Sequence, residues 1–228
     1  MVGATAVSSW AGAATTAKTE YQAALKAASA QNLHYVSIAS EPGIGALKVI
    51  GDTGKTSGSE EIQVVNGSTT ESLNVVLVGS TGYVRGNEAG LEKALGLTAA
   101  QSATYADKWL SFPTSNTSLA ELVSGLRDRD VASEIQMSGP YTFGPSKAIN
   151  GQAATAINGT AATSSGTKVA IILYVSSSGT PRPVEEITNP TAKSSSIKGT
   201  VTFSKWGEAT HLKAPTTSSP LTPLLPSA

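Results

Sequence analysis

The sequence predicts an α+β fold in which one antiparallel β-sheet packs against a few helices. Three observations predict it. Short strand-like segments follow one another in two parts of the chain, Asn-Gly and Gly-rich pairs separate them at hairpin spacing, and helical segments lie before and between the two groups. The 228 residues are enough for one sizeable domain with a buried core.

The first part of the chain predicts a tether, a helix and then a meander of strands. Residues 1–16 are small and weakly polar, which favours a tether. Residues 17–30 are rich in Ala and place Tyr21, Leu25 and Ala28 on one face, which predicts a helix. The five predicted strands are Leu33–Ser40, Ile44–Asp52, Glu60–Val65, Glu71–Gly79 and Thr81–Arg85.

The middle of the chain predicts short helices that begin at capping boxes. Thr98 is followed by Gln101, and Ser118 is followed by Glu121, which is the spacing of a capping box. After the second box, apolar residues recur at i, i+3, i+4 and i+7, which predicts an amphipathic helix. These residues are Leu119, Leu122, Val123 and Leu126.

The last third of the chain returns to strands. Residues 216–228 are rich in Pro, Ser and Thr, so they are expected to fray as a tail. The predicted domain therefore spans residues 17–215. The strands predicted around and after the central helices are Lys108–Phe112, Tyr141–Phe143, Ala153–Thr163, Lys168–Val175, Arg182–Thr188 and Lys198–Ser204, the last continued by Leu212 and ended by Pro215.

Composition excludes several classes of function. Sixteen basic residues balance sixteen acidic ones, so the chain lacks the basic footprint of a nucleic-acid-binding protein. With no cysteine, it has neither disulfides nor thiolate metal sites. No apolar run reaches the roughly 20 residues that span a bilayer, and the first residues lack the pattern of a signal peptide. We expect an exported protein whose leader has been removed.

The sequence offers few candidates for catalysis. Asp52-Thr53-Gly54 matches the short aspartic-protease signature, but a second such triplet is missing and that chemistry needs two carboxylates, so a turn explains it better. His34 and His211 are the only histidines and have no metal-ligand spacing, so we expect surface or strand-edge positions. No nucleophile elbow occurs, although a dispersed triad stays open. We therefore expect no enzyme activity, no metal and no cofactor.

Two pairs of adjacent glutamates also lie on predicted strands. They are Glu60-Glu61 and Glu185-Glu186. Neighbours on a strand point to opposite faces, so neither pair forms a carboxylate dyad by itself. We expect these glutamates at solvated strand edges.

Two predicted strands, 71–79 and 168–175, are apolar on both faces, which predicts that both faces are covered. One account is an ordinary two-layer core. The other is a curved sheet whose inner face lines a cavity, with the amphipathic helices as its plug. On the second account, the predicted lining is Leu73, Val75, Leu77, Ile171 and Leu173, closed by Leu119, Leu122, Val123 and Leu126.

The opposite strand parity would instead turn Val76, Val78, Ile172 and Tyr174 inward. Each buried methylene is worth about 0.8 kcal/mol, so a 16-carbon acyl chain contributes on the order of 12 kcal/mol before ordering costs. An apolar hollow with a movable lid therefore suffices to hold a lipid without a charged anchor.

The end of the sequence carries a family resemblance. Residues 199–215 read GTVTFSKWGEATHLKAP, and this ending resembles that of actinobacterial exported lipoproteins of the LprG/LppX type. The resemblance as a whole covers about residues 16–215. Other pieces agree in their order along the chain. They are Leu33-His34-Tyr35-Val36, Gly82-Tyr83-Val84-Arg85, Asp107-Lys108-Trp109-Leu110, Ile149-Asn150-Gly151-Gln152-Ala153, and Leu173-Tyr174-Val175 with Gly179-Thr180-Pro181-Arg182-Pro183-Val184.

The resemblance implies a LolA/LolB-like fold, a strongly curved antiparallel half-barrel with helices packed on its concave face. It implies a monomeric carrier of lipids or glycolipids at the outer face of the cytoplasmic membrane. The lipid-attachment cysteine of such lipoproteins is absent from this chain, so the resemblance places an anchor before residue 1. The alternative is a cell-envelope sensor or scaffold lipoprotein with the same fold and no bound lipid.

Overall fold

The computed structural model describes residues 16–41, 45–127, 131–132, 135–162, 166, 168–189 and 198–225. The helices are α1 (Ala17–Ala28), α2 (Glu88–Leu95) and α3 (Ala99–Tyr105), with 3₁₀ helices at Thr117–Val123 and Thr222–Leu224. The strands are β1 (Leu33–Glu41), β2 (Gly45–Thr53), β3 (Ser57–Asn66), β4 (Thr69–Val78), β5 (Thr81–Gly86), β6 (Leu110–Pro113), β7 (Ser138–Ile149), β8 (Gln152–Ala162), β9 (Lys168–Ser176), β10 (Pro183–Thr188), β11 (Lys198–Ser204) and β12 (Ser219–Pro220).

The strands of the described residues form one curved, open sheet in the order β12-β6-β5-β4-β3-β2-β1-β11-β10-β9-β8-β7. All neighbours are antiparallel except β12 and β6, which are parallel. The first five strands form the predicted meander, and β7 to β11 form a second one. The pairing of β1 with β11 joins the two meanders, so the α+β fold on one antiparallel sheet is confirmed.

Helix starts follow the capping chemistry of the sequence in most places. Thr98 and Gln101 form the predicted capping box, with the Gln101 backbone N–H donating to the Thr98 hydroxyl at 3.3 Å. Asn87 caps α2 in the same way, because its side-chain oxygen accepts from the Gly90 N–H at 2.8 Å. None of the described helices is both long enough and apolar enough to cross a membrane.

The amphipathic α-helix predicted after Ser118 is wrong. The chain forms a 3₁₀ helix at Thr117–Val123, and the Ser118 N–H donates to the Asn116 side-chain oxygen at 3.1 Å. Backbone bonds of i to i−3 type follow, from Leu119 to Asn116 and from Leu126 to Val123. An Asn side chain that accepts a backbone N–H two residues on favours a turn over an α-helix.

Two apolar clusters fill the two ends of the concave face. Cross-strand neighbours point to the same face of a sheet. On the concave face, the helices cover the inward residues of β4 and β9. The first cluster joins β4, β5, β6, α2 and the 3₁₀ helix through Leu73, Val75, Leu77, Val84, Leu91, Leu110, Phe112, Leu119, Val123, Leu126 and Leu221. The second joins α1 to β8 and β9 through Ala17, Tyr21, Ala24, Met137, Ile157, Ile171, Leu173 and Val175.

The prediction that the chain frays after Pro215 is wrong for its described part. Ser219 and Pro220 pair with β6, and Leu221 is fully buried in the first cluster. The Gln101 side-chain amide donates to the Leu224 carbonyl oxygen at 3.0 Å, which fixes the last described turn. Residues 1–15, the predicted tether, and residues 226–228 lie outside the described residues, and the boundary at residue 215 stays a prediction.

The last long strand ends at Ser204, so the predicted continuation through Leu212 is also wrong. Lys205 and Gly207 have φ angles of 51° and 78°, which turn the chain back over the start of β1. The Gly207 N–H donates to the Asn32 carbonyl at 2.8 Å. Trp206 packs against Phe203, with ring centroids 6.4 Å apart, and so covers the end of β11.

Replacing Leu221 by Ala tests whether the C-terminal segment belongs to the core. Because the side chain is fully buried, we expect Leu221→Ala to lower the free energy of unfolding by about 2–5 kcal/mol. Urea denaturation measures this. The control is Val65→Ala, whose side chain is 40% exposed, and which we expect to cost below about 1 kcal/mol. Equal losses for the two variants would contradict the packing of the segment.

Candidate ligand-binding cavity

A cavity of about 370 Å³ lies between the two apolar clusters, against the concave face of the central strands. Its floor comes from β1, β2, β3, β10 and β11. Opposite the floor lie four described residues after the first 3₁₀ helix, Ser124, Gly125, Val131 and Ile135, which we call the cover. The described residues that line it are Tyr35, Ser37, Val49, Glu60, Glu186, Val201 and Phe203 from the sheet, with Ser124, Gly125, Val131 and Ile135 from the cover.

The space is open because some inward side chains of the central strands are small and others lie along the sheet instead of pointing away from it. Ser37 and Gly51 occupy inward positions, with Val49 and Val201 opposite Ser37, and Tyr35 and Glu60 opposite Gly51. A Cβ atom at position 51 would overlap the ring of Tyr35, so the ring lies directly over this glycine. The ring thereby crosses β2, and the Tyr35 hydroxyl donates a hydrogen bond to Glu60 on β3.

The cover is attached at both of its ends. On one side, the Gly54 N–H donates to the Leu126 carbonyl at 3.5 Å, and Gly54 forms a β-bridge with Arg127. On the other side, Tyr21 of α1 holds the chain twice: its hydroxyl accepts from the Met137 N–H at 2.8 Å and donates to the Ile135 carbonyl at 3.4 Å. The hydroxyl of Tyr21 therefore fixes the cover to α1.

Two carboxyl groups face this mainly apolar space. Glu60 lies in register with inward residues of β2 and β1, and Glu186 lies opposite Val201. Both side chains therefore point to the concave face. The prediction of solvated edge positions is therefore wrong for these two glutamates. It holds for Glu61, which points outward and is exposed. β3 and β10 lie four strand spacings apart, about 19 Å along the sheet, so the carboxyls flank the cavity.

Burial raises the pKa of the Glu186 carboxyl from its ordinary 4.5 to about 7, while a hydrogen bond from the Thr188 hydroxyl opposes this shift. Burial also raises the pKa of Tyr21; its hydrogen bond with Met137 opposes this, and the nearby Tyr141 and Glu186 add to the rise. A carboxyl whose pKa is raised by burial is costly to ionise in place. The cavity wall therefore carries a carboxyl group that is partly protonated near neutral pH.

The raised pKa predicts a pH dependence of stability. The native state binds the Glu186 proton more tightly than the unfolded chain does, so protonation of Glu186 stabilises the native state. This contribution to the free energy of unfolding is present below about pH 4.5 and is lost as the pH rises through 7. We expect the change in the free energy of unfolding caused by Glu186→Gln to be about 1–3 kcal/mol more favourable at pH 8 than at pH 4. Denaturation at the two pH values measures the difference.

The matched control for this experiment is Glu61→Gln, which removes an exposed carboxyl from the outer face of β3. We expect it to change stability equally at both pH values. The same absence of a pH effect in Glu186→Gln would contradict a raised pKa at position 186.

None of the nine residues predicted as lining contributes to the wall of this cavity. Leu73, Val75, Leu77, Leu119, Val123 and Leu126 lie in the first cluster with Leu122 at its edge, and Ile171 and Leu173 lie in the second. Their parity matches the prediction, because they face the helices. They border the space, since Val75 is the cross-strand neighbour of Glu60, and Leu173 that of Glu186. As ligand-binding residues they stay a prediction.

Among the residues that line the cavity, sequence reasoning missed Tyr35, Glu60, Glu186, Val201 and Phe203. The alternation of β11 indicates that Val201 and Phe203 share one face, and extending that parity through each strand pairing would have turned Glu60 and Glu186 inward. The sequence does not fix which strands pair across the centre of the sheet, so this signal could not be used.

The two histidines lie together in a small second pocket of about 190 Å³ outside this cavity. His34 and Asp52 pair on the outward face of β1 and β2, with Nδ1 and Oδ1 2.9 Å apart. Lys205, Glu208 and His211 complete the wall. Among the described residues, no group of three or more metal-ligating side chains gathers here or elsewhere.

The fold is similar to that of LprF from Mycobacterium bovis, with 16% identity and a TM-score of 0.58 over 87% of this chain and 96% of that one. A conserved protein from Thermus thermophilus matches with 10% identity and a TM-score of 0.44 over 90% and 98% of the two chains. A LolA superfamily protein from Nitrosomonas europaea matches with 12% identity and a TM-score of 0.29 over 86% and 95%. No family model and no curated protein matches the sequence.

The resemblance to the LprG/LppX type is thereby confirmed at the level of the fold. The LolA-like architecture, a curved antiparallel sheet with helices on its concave face, is confirmed with it. At 16% identity, the likeness to LprF concerns the fold alone.

Proposed function

We propose that this protein is a non-catalytic carrier that holds the alkyl part of a lipid or lipoconjugate in its central cavity. The observation that carries the proposal is a hollow of about 370 Å³ in a wall built largely from Val49, Val131, Ile135, Val201 and Phe203. This volume is within the range of small-molecule sites. Transfer of alkyl groups from water to such a wall supplies the binding free energy, about 0.8 kcal/mol per methylene.

The nine apolar residues predicted from the sequence extend this proposal. Val123 and Leu126 flank the cavity-lining pair Ser124 and Gly125, and Leu173 lies beside Glu186. We propose that lifting the cover opens the hollow toward both apolar clusters, so that longer alkyl chains insert among their side chains. The lipid-facing set would then include Leu73, Val75, Leu77, Leu119, Leu122, Val123, Leu126, Ile171 and Leu173.

The place of action follows from the same proposal. We propose that the carrier acts outside the cytoplasmic membrane, where it moves lipid between membranes or to an acceptor. The rival is a sensor or scaffold with a filled interior. The hollow favours the carrier, since close-packed interiors contain few voids larger than a water molecule.

Filling the hollow tests the proposal. Val201 is half-buried on the cavity floor, so we expect Val201→Trp to occupy the space that the alkyl chain needs. Protein purified from its own host and analysed by native mass spectrometry after organic extraction should lose its bound lipid in this variant. The wild type should retain it.

The matched control is Ile38→Trp on the outward face of β1, where the side chain is 59% exposed. We expect this variant to retain lipid as the wild type does. Equal retention by a folded Val201→Trp protein would exclude the central hollow as the lipid site, and a wild type without any extractable lipid would favour the scaffold.

A further inference from the structure

The second pocket, of about 190 Å³, brings both histidines of the chain together outside the central cavity. His34 and Asp52 lie opposite each other on the outward face of β1 and β2. The loop that follows β11 forms the rest of the wall. It contributes Lys205, Glu208, Ala209, Thr210, His211 and Leu212.

Hydrogen bonds fix this loop to the chain around β1 and β3, although it has no regular secondary structure. The Gly207 N–H donates to the Asn32 carbonyl at 2.8 Å, and the Asn32 side-chain amide donates to the Glu208 carbonyl at 3.1 Å. Farther along the loop, the hydroxyl groups of Ser57 and Thr210 bond to each other at 3.0 Å. A wall that is held in place before a ligand arrives lowers the ordering cost of binding.

The pair of His34 and Asp52 supplies hydrogen-bond acceptors to the pocket. A carboxylate only accepts, so the hydrogen of a neutral His34 ring lies on Nδ1, 2.9 Å from the Asp52 oxygen. The other ring nitrogen, Nε2, is then an acceptor. The Asp52 side chain is 40% exposed, and a carboxylate has about four acceptor sites, so this bond leaves it further capacity.

We propose that this pocket binds a sugar ring, whose hydroxyl groups donate to Asp52 and Glu208 and accept from Lys205. The inference goes beyond the proposed function, because the pocket lies outside the cavity for the alkyl chain. Each sugar hydroxyl both donates and accepts, so it matches a wall that offers donors and acceptors side by side. Carboxylates of Asp and Glu bind the ribose hydroxyl of dinucleotides in the same way. The volume is about six times the roughly 30 Å³ of one water molecule, which is room for one ring.

Other small ligands match this wall less well. A phosphate can accept from Lys205 but meets the like charges of Asp52 and Glu208, and an ammonium group meets the like charge of Lys205. A zwitterion needs separate positive and negative ends. Here each acidic residue lies beside a basic one, because Asp52 pairs with His34, and the Glu208 N–H donates to the Lys205 carbonyl at 3.2 Å within one turn.

Nuclear magnetic resonance of the two imidazole rings tests the inference, because His34→Gln and His211→Gln assign the signals without ambiguity. Titration with the methyl pyranosides of glucose, galactose and mannose should shift the signals of both rings. At least one of these probes should bind with a dissociation constant below about 10 mM. Cyclohexanemethanol, inorganic phosphate and glycine should each bind at least about tenfold more weakly than the tightest hexoside.

Three variants of the full chain test which carboxylates bind the sugar. Asp52→Asn and Glu208→Gln should each weaken binding of the tightest hexoside at least about tenfold, since each loses a charged hydrogen-bond acceptor. The control is Glu61→Gln, which removes an exposed carboxyl from the outward face of β3 and should leave the affinity unchanged. If Asp52→Asn does not fold, Glu208→Gln decides, because the Glu208 side chain is exposed.

Three results would overturn the inference: no shift with any hexoside, phosphate or glycine bound as tightly as the hexoside, or an unchanged affinity in the folded carboxylate variants. The octyl glycoside of the tightest sugar, below its micelle concentration, tests whether the site is separate from the hollow. Its affinity should lie within about threefold of that of the methyl glycoside. A larger gain that Val201→Trp removes would make the sugar a lipid headgroup and overturn a separate site. Hexoside binding by a protein without extractable lipid would support this inference while the proposed function fails.

Discussion

The antiparallel pairing of β1 with β11 is the interaction on which the rest of the structure depends. It runs from His34 opposite Ser204 to Ser40 opposite Lys198 and joins the first meander to the second. Without it, the two apolar clusters would belong to two separate small sheets. With it, one curved sheet carries a cluster at each end, and the central strands span the interval between them.

The hollow arises because side-chain size changes along the concave face. Leucines and Phe112 fill the end under α2 and the first 3₁₀ helix, and Tyr21, Met137 and the branched residues of β8 and β9 fill the end under α1. At the centre the inward positions include Ser37, which lines the cavity, and Gly51, which admits the ring of Tyr35. Tyr35 and the two inward glutamates enter that space from its floor, so the same strands that create the volume also give it acidic character.

Much of the fold could be predicted from local sequence. Asn-Gly and Gly-rich pairs mark the hairpins of the first meander, and the Thr98 capping box marks the start of α3. β7 was harder, because Gly139, Pro140, Gly144 and Pro145 suggest a break, whereas the strand runs through all four. It is the last strand of the sheet and carries register shifts, the setting in which a strand tolerates proline.

The candidate site was less predictable for two physical reasons. The spacing after Ser118 predicts an α-helix, whereas Thr117–Val123 forms a 3₁₀ helix in which the Ser118 N–H donates to the Asn116 side chain. The inward direction of Glu60 and Glu186 depends on long-range strand pairing, because each has an adjacent glutamate that points the other way. Local alternation shows that each pair is split between two faces, but not which member faces the interior.

The most direct measurement is a crystal structure of the protein with a dodecanol probe that carries bromine on its terminal carbon. Anomalous scattering then locates the end of the alkyl chain. Our account predicts bromine in the central cavity, beside Val201 and Phe203. Bromine confined to the outer surface, with side chains filling the centre of the concave face, would contradict it.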